Sequence, residues 1–345
     1  MLNPCLSEAK DHLHEPLLKA AMQNRILKSL KGHLWTLVPH VARRISARGL
    51  PDPESFSVPF QNHDGHLLTV EGLLDQGENQ DSLFVIIHGI GSNPSVAYVE
   101  DAARVLRKKG SVLRLALRGS LGRQPDFYHG GLTDDLHTAL ASARLSQFRH
   151  IYLVGFSLGG HVALRYCAED GDQRVRAVVG ICPPINLGAG QRRLDHWSMW
   201  GYRTHILSGL LGTYGQCEAK ASALGIVLPQ KAEHLRSVRT IREWDSLTVV
   251  PRFGFESVDD YYQTASVGHR ISALRVPALI LAGRDDPIVP FADIEPYLTH
   301  RPDHLEVAVF DQAGHVGFMP NLSLGQAGPR GLYNQLASWC MSKAT

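Results

Sequence analysis

A serine hydroxyl becomes a useful nucleophile only when a base takes its proton. Residues 152–166, "YLVGFSLGGHVALRY", present one such hydroxyl, Ser157, between Gly155 and Gly159. An apolar run leads in and a helical pattern leads out, which is the setting of a G-x-S-x-G elbow. Side chains two residues to either side would collide at so sharp a corner, so glycine is needed there. The following helix aims its N-terminus, the positive end of its dipole, at the substrate oxygen. The spacing alone arises by chance, and a tight strand–helix turn with an incidental serine is the bland alternative. The flanking elements argue against it.

The base should be a histidine oriented by an acid. Among eighteen histidines, His315 stands out in "FDQAGHVGF", just past the last apolar strand. The acid belongs after the preceding strand, in "LILAGRDDPIVP", where Asp285 and Asp286 are adjacent. Asp286 is the choice, because such an acid falls three residues after the glycine that ends the strand, here Gly283. Asp285 is then a turn former. The order Ser157, Asp286, His315 is one of the known chain orders for this constellation. A developing oxyanion needs two backbone N–H donors. Leu158, directly after the serine, is one. Ile90, in "FVIIHGIGSNP", is the other, with Gly89 and Gly91 allowing close approach and His88 buttressing the loop.

Positioning these groups takes alternating strands and helices. "SFSVPF" and "LLTVEGLL" read as an antiparallel pair around "NHDG". "SLFVIIHG" is a continuous apolar run, as in a strand covered on both faces. The alternation continues through "SVLRLALRG", "HIYLVGFS" and "VRAVVGICPP". It resumes at "PALILAG" and "LEVAVFD", and a helix near "LYNQLASWCMSK" follows. This pattern predicts an α/β fold with a mostly parallel sheet flanked by helices. The expected core covers 51–185 and 271–345. Residues 186–270 break the alternation and read as an inserted helical cap, in which Trp197 and Trp200 are candidates for substrate binding. Residues 1–50 carry eight Lys/Arg against three acids and read as an N-terminal helical extension packed on the domain. A weak membrane-surface contact is the sharper alternative for it, since basic amphipathic helices favour anionic surfaces.

Taken together, "HG", "GFSLGGHVALRY", "LALRGSLGRQPDFYHGGLTDDL", "RAVVGICPPINLGAG", "GFESVDDYYQTAS" and "AGHVGF" resemble the YheT-like branch of the α/β-hydrolases. That branch includes bacterial esterases and eukaryotic abhydrolase-domain lipases and ester synthases. The resemblance runs from about residue 60 to 320. It implies the hydrolase core, a helical cap and ester chemistry on acyl substrates, and carries over Ser157, Asp286 and His315. The chain departs from the branch at Gly91, where an acidic residue is usual. His129 and Asp134 also have an H-x4-D spacing that some acyltransferases use. Here Asp134 more readily helps begin a helix, and His129 packs in its loop.

The reading is a serine esterase on short- to medium-chain acyl esters, needing no metal and no cofactor. An acyltransferase or ester synthase with the same triad, or a weakly catalytic ligand receptor, are the alternatives. The net charge of +2 is too balanced for a nucleic-acid binder. Five scattered cysteines without a CxxC point to neither a disulfide framework nor a zinc site, and so to a cytoplasmic setting.

Overall fold

The runs of apolar residues form an eight-stranded sheet in the computed structural model, which describes residues 52–344 except His63 and Asp170, together with Gly32, His33, Thr36 and Leu50. The strands are β1 (Glu54–Gln61), β2 (Leu67–Asp75), β3 (Ser82–Ile87), β4 (Ser111–Leu115), β5 (His150–Phe156), β6 (Val175–Ile181), β7 (Ala278–Gly283) and β8 (Leu305–Phe310). Their order is β1-β2-β4-β3-β5-β6-β7-β8. β1 and β2 pair antiparallel with each other, β2 pairs antiparallel with β4, and every other pairing is parallel. β2 alternates between buried and more exposed positions, as befits a strand near the sheet edge. All six residues of β3 are buried, because helices cover both faces there.

Three helices connect the first strands: α1 (Ala97–Leu106), α2 (Asp134–Ala141) and α3 (Leu158–Ala168). After β6 the chain leaves the sheet and forms α4 (Leu187–Asp195), α5 (Trp200–Ala223), α6 (Ala232–Leu235), α7 (Ile241–Leu247), α8 (Val249–Phe253) and α9 (Val258–Ala265). It returns at β7, after which come α10 (Phe291–Ile294) and α11 (Leu332–Met341). Successive side chains of a strand face opposite ways. Phe84 and Ile86 therefore pack with Val99 of α1 and Trp339 of α11. Leu83, Val85 and Ile87 join Leu136 of α2 and Leu164 of α3. The helix that begins at Asp134 stops at Ala141, where the Ser142 hydroxyl donates to the Ala139 carbonyl and a 3-10 turn follows.

Caps fix the helices between β6 and β7. Asn186 accepts from the Ala189 N–H at 2.9 Å, Thr240 from Glu243 and Ser257 from Asp260 at 3.1 Å each. Each such cap contributes about 1 kcal/mol. One face of α5 is buried through Ile206, Leu210, Tyr214, Cys217 and Ala221, at helical spacing.

The extension expected over residues 1–50, and its membrane-surface contact, lie outside the described residues apart from Gly32, His33, Thr36 and Leu50. No helix among the described residues is long and apolar enough to cross a membrane. Cys167, Cys182, Cys217 and Cys340 are buried free thiols.

Candidate active site

Strand order reverses at β3, with β4 on one side and β5 on the other. In an open α/β sheet the crevice at the carboxyl ends of such strands is where ligands bind. Ser157 follows β5 there, with φ 50° and ψ −120°, a backbone conformation disfavoured for a non-glycine residue. The corner leaves no room for side chains beside it. A Cβ on Gly155 would lie 2.2 Å from the Gly159 carbonyl oxygen, and one on Gly159 2.3 Å from that of Ile87.

Ser157 Oγ and His315 Nε2 are hydrogen-bonded at 2.9 Å. The other ring nitrogen, Nδ1, lies 2.9 Å from Asp286 Oδ2. That contact makes Nδ1 the donor and leaves Nε2 free to accept from the serine. The remaining oxygen of Asp286 accepts from the Ile288 and Val289 N–H groups at 2.8 and 3.0 Å, which fixes the carboxylate. Asp285 is only half-buried, and it is Asp286 that meets His315. Cys182, for which the sequence offered no signal, sits behind this set with φ 49°, its thiol toward the Gly314 carbonyl. Burial and the neighbouring Asp286 push that thiol's pKa up, so it stays protonated.

The loop after β3 lies beside the serine, since a Cβ on Gly89 would be 3.3 Å from Ser157 Cβ. Two tyrosines occupy two of its amides. The Gly89 N–H donates to Tyr98 Oη at 3.0 Å and the Gly91 N–H to Tyr128 Oη at 2.7 Å. The Ile90 N–H, between them, has no hydrogen-bond partner among the described residues, and neither has that of Leu158 at the first position of α3. Both residues line the cavity above Ser157. His88 is buried and turned away. Its Nδ1 donates to the Gly89 carbonyl, Nε2 accepts from the Leu117 N–H, and burial lowers its pKa to about 4. It therefore braces the loop as a neutral ring.

The cavity has a volume of about 970 Å³. Its walls come from the sheet loops and from α4, α5, α7, α8 and α9, with Ile206, Leu210, Trp244, Val249, Tyr261 and Ile288 among them. Trp197 does not line it and is 78% exposed, because it falls in a short 3-10 turn that directs it to solvent. That corrects the expectation of a substrate contact there. Trp200 reaches the cavity only at its mouth and is 66% exposed. Buried Asp245 is the one carboxylate on the wall besides the site itself among the described residues. Tyr262 Oη donates to it at 2.7 Å, and burial pushes its pKa up to about 7.

Within "LALRGSLGRQPDFYHGGLTDDL", Arg118 and Asp135 serve the scaffold. Arg118 pairs with Asp135 at 2.6 Å and with Asp126 at 3.4 Å, all buried. Asp126 also accepts from Arg252 of α8 at 2.9 Å, and Arg252 reaches Asp64 at 2.6 Å. His129 lines the cavity and packs on Phe253, whereas Asp134 opens α2.

The sequence profile of the alpha/beta hydrolase fold matches residues 82–322. Putative esterase YheT of Escherichia coli (strain K12) is 27% identical over 295 residues, which cover 83% of this chain and 84% of the relative. A monoacylglycerol lipase of Saccharomyces cerevisiae (strain ATCC 204508 / S288c) is 26% identical over 60% of this chain and 48% of its own length. Among solved structures, 2,6-dihydroxy-pseudo-oxynicotine hydrolase superposes with a TM-score of 0.51 at 16% identity, covering 85% of this chain and 69% of that one, a likeness of fold. A profile match across most of the chain, on a sheet of this order, means that the chain belongs to the α/β-hydrolase-fold family.

Proposed function

We propose that this protein is a serine carboxylic ester hydrolase acting on short- to medium-chain acyl esters. The observation that carries the reading is the continuous chain of contacts from Ser157 Oγ through His315 to Asp286, at 2.9 Å each. Ser157 Oγ attacks the ester carbonyl while its proton passes to His315 Nε2. Asp286 holds the ring in the required tautomer and stabilises the imidazolium. The Ile90 and Leu158 N–H groups donate to the carbonyl oxygen as it becomes an oxyanion. His315 then gives the proton to the departing alcohol, and water resolves the acyl-enzyme by the same steps reversed. The apolar lining suits an acyl chain, and the names of the relatives, esterase and monoacylglycerol lipase, support the ester class.

The test is labelling by a fluorophosphonate probe together with hydrolysis of p-nitrophenyl esters of graded chain length. Wild type should label at Ser157 and prefer short to medium chains. Ser157→Ala should lose both, with activity down on the order of 10³-fold or more. A purified Ser157→Ala protein keeping over about a tenth of wild-type activity would sink the assignment.

A further inference from the structure

Gly32, His33 and Thr36 are helical and lie against both loops that present the acid and the histidine. The His315 N–H donates to Thr36 Oγ1 at 2.8 Å, across 279 positions of sequence. The same hydroxyl donates its own hydrogen to the Gly32 carbonyl at 2.8 Å. Two glycines permit this approach. A Cβ on Gly32 would lie 2.1 Å from the Asp285 carbonyl oxygen, and one on Gly314 2.4 Å from the Thr36 nitrogen. On its other side this turn reaches α5, where His33 Nδ1 hydrogen-bonds Tyr202 Oη at 3.0 Å and the two rings stack. His33 and Thr36 both line the cavity that contains Ser157.

We propose that Thr36 is a positioning residue for His315, so that Gly32 and Thr36 belong to the support of the active site. The inference rests on the ester-hydrolase reading. His315 sits on an irregular loop, and its neighbour Val316 has φ 53°. Its ring must meet two partners at once, Ser157 and Asp286. A displacement of about 1 Å in such a constellation costs on the order of 10²-fold in rate. The Thr36 hydroxyl holds the main chain of His315 through its N–H. Valine in its place keeps the shape but meets the N–H with a methyl group. Serine keeps the acceptor.

The experiment uses the full chain and compares wild type, Thr36→Val, Thr36→Ser and Gly32→Ala. Each is measured for melting temperature, fluorophosphonate labelling rate, and kcat and KM on one p-nitrophenyl ester. Thr36→Val should lose about tenfold or more in kcat and in labelling rate, with KM within about twofold. Thr36→Ser should restore most of the loss. Gly32→Ala leaves the hydroxyl intact but wedges the turn off Asp285, and it should lose kcat in the same way. Thr36→Val and Gly32→Ala labelling at the wild-type rate would overturn the positioning role. So would a loss that appears only in KM, or one that merely tracks a fall in melting temperature. Should Thr36→Val fail to fold, Gly32→Ala decides alone. Wild type that does not label would instead overturn the ester-hydrolase reading, and the inference with it.

Discussion

Gly91, in the loop after β3, and Gly209, in α5, meet backbone to backbone: a Cβ on Gly209 would lie 2.7 Å from the Gly91 carbonyl oxygen. Gly91 also has φ 66°, and a Cβ there would be 3.2 Å from the Ile206 carbonyl oxygen. The loop that offers the Ile90 N–H is thus pressed between the sheet and the long helix. Gly209→Ala sets two effects against each other. Alanine favours a helix interior by about 1 kcal/mol over glycine, yet its methyl must push the loop. Because the obstacle is main chain, overpacking of about 1–3 kcal/mol offsets or exceeds that gain, and the expected outcome is a melting temperature at or below wild type with kcat/KM down about tenfold, on the scale of a disturbed oxyanion donor. Thermal melting and steady-state kinetics on the same preparation check it.

Asp286→Asn should cost far more than Asp285→Asn. Asp286 accepts from His315 and from two main-chain amides, so an asparagine there must set an NH2 against a donor. A loss in kcat on the order of 10⁴-fold is expected for Asp286→Asn, as in other triads. Asp285→Asn should stay within a few-fold. Parallel kcat measurements distinguish them, and a crippled Asp285→Asn would refute the assignment of the acid.

Asp245 makes stability depend on pH. Its folded pKa of about 7 lies above the ordinary value of 3.8, chiefly through burial, with Asp195 adding to the rise and the Tyr262 hydroxyl opposing it. The native state therefore holds a proton that the unfolded chain has lost between those values. Stability is fully present below the unfolded value and drains away as pH climbs through the folded one. Asp245→Asn cannot ionise, so it should gain stability relative to wild type between about pH 5 and about pH 8.5. Urea melts at both ends test this, and parallel shifts of the two proteins would contradict it.

Chain-length preference should follow the inner wall rather than the surface tryptophans. Leu210 is buried and lines the cavity. Leu210→Phe takes up acyl space and should lower kcat/KM on the longer esters about tenfold relative to the shortest. Trp197→Ala should leave the chain-length profile unchanged. A profile altered by Trp197→Ala would return that residue to the site.

How much of this could be read in advance depended on how local each constraint is. The serine corner was legible because Gly155 and Gly159 answer to atoms within a few residues or on the adjacent strand. Asp286 and His315 were legible because each follows an apolar strand at a fixed offset. The cavity wall was not. In α5 apolar residues occur on all sides, so sequence spacing does not say which face packs inward. The structure buries Ile206, Leu210 and Tyr214 and leaves Trp200 largely outside. Tyr98, which occupies the amide before Ile90, carries no motif. Tyr128, which occupies the one after it, lies in the quoted "FYHGG" stretch, but nothing in that stretch points to the Gly91 amide 37 positions away. Thr36, whose partner is at the far end of the chain, carries no motif either.

The buried charges also bear on how substrate gets in. Asp126 is shared by Arg118 of the sheet side and Arg252 of α8, and Arg252 continues to Asp64 in the β1–β2 turn. At the other end of the same segment, Arg193 of α4 donates to the Pro287 carbonyl at 3.0 Å, beside the acid. These ties hold the helical segment to the sheet side at both of its ends, so the helices are expected to stay in place through each turnover. We expect such a roof to admit dissolved monomers through a standing opening. Its rate should rise smoothly with ester concentration through the onset of micelles, without the interfacial activation of enzymes whose lids unfold on a lipid surface.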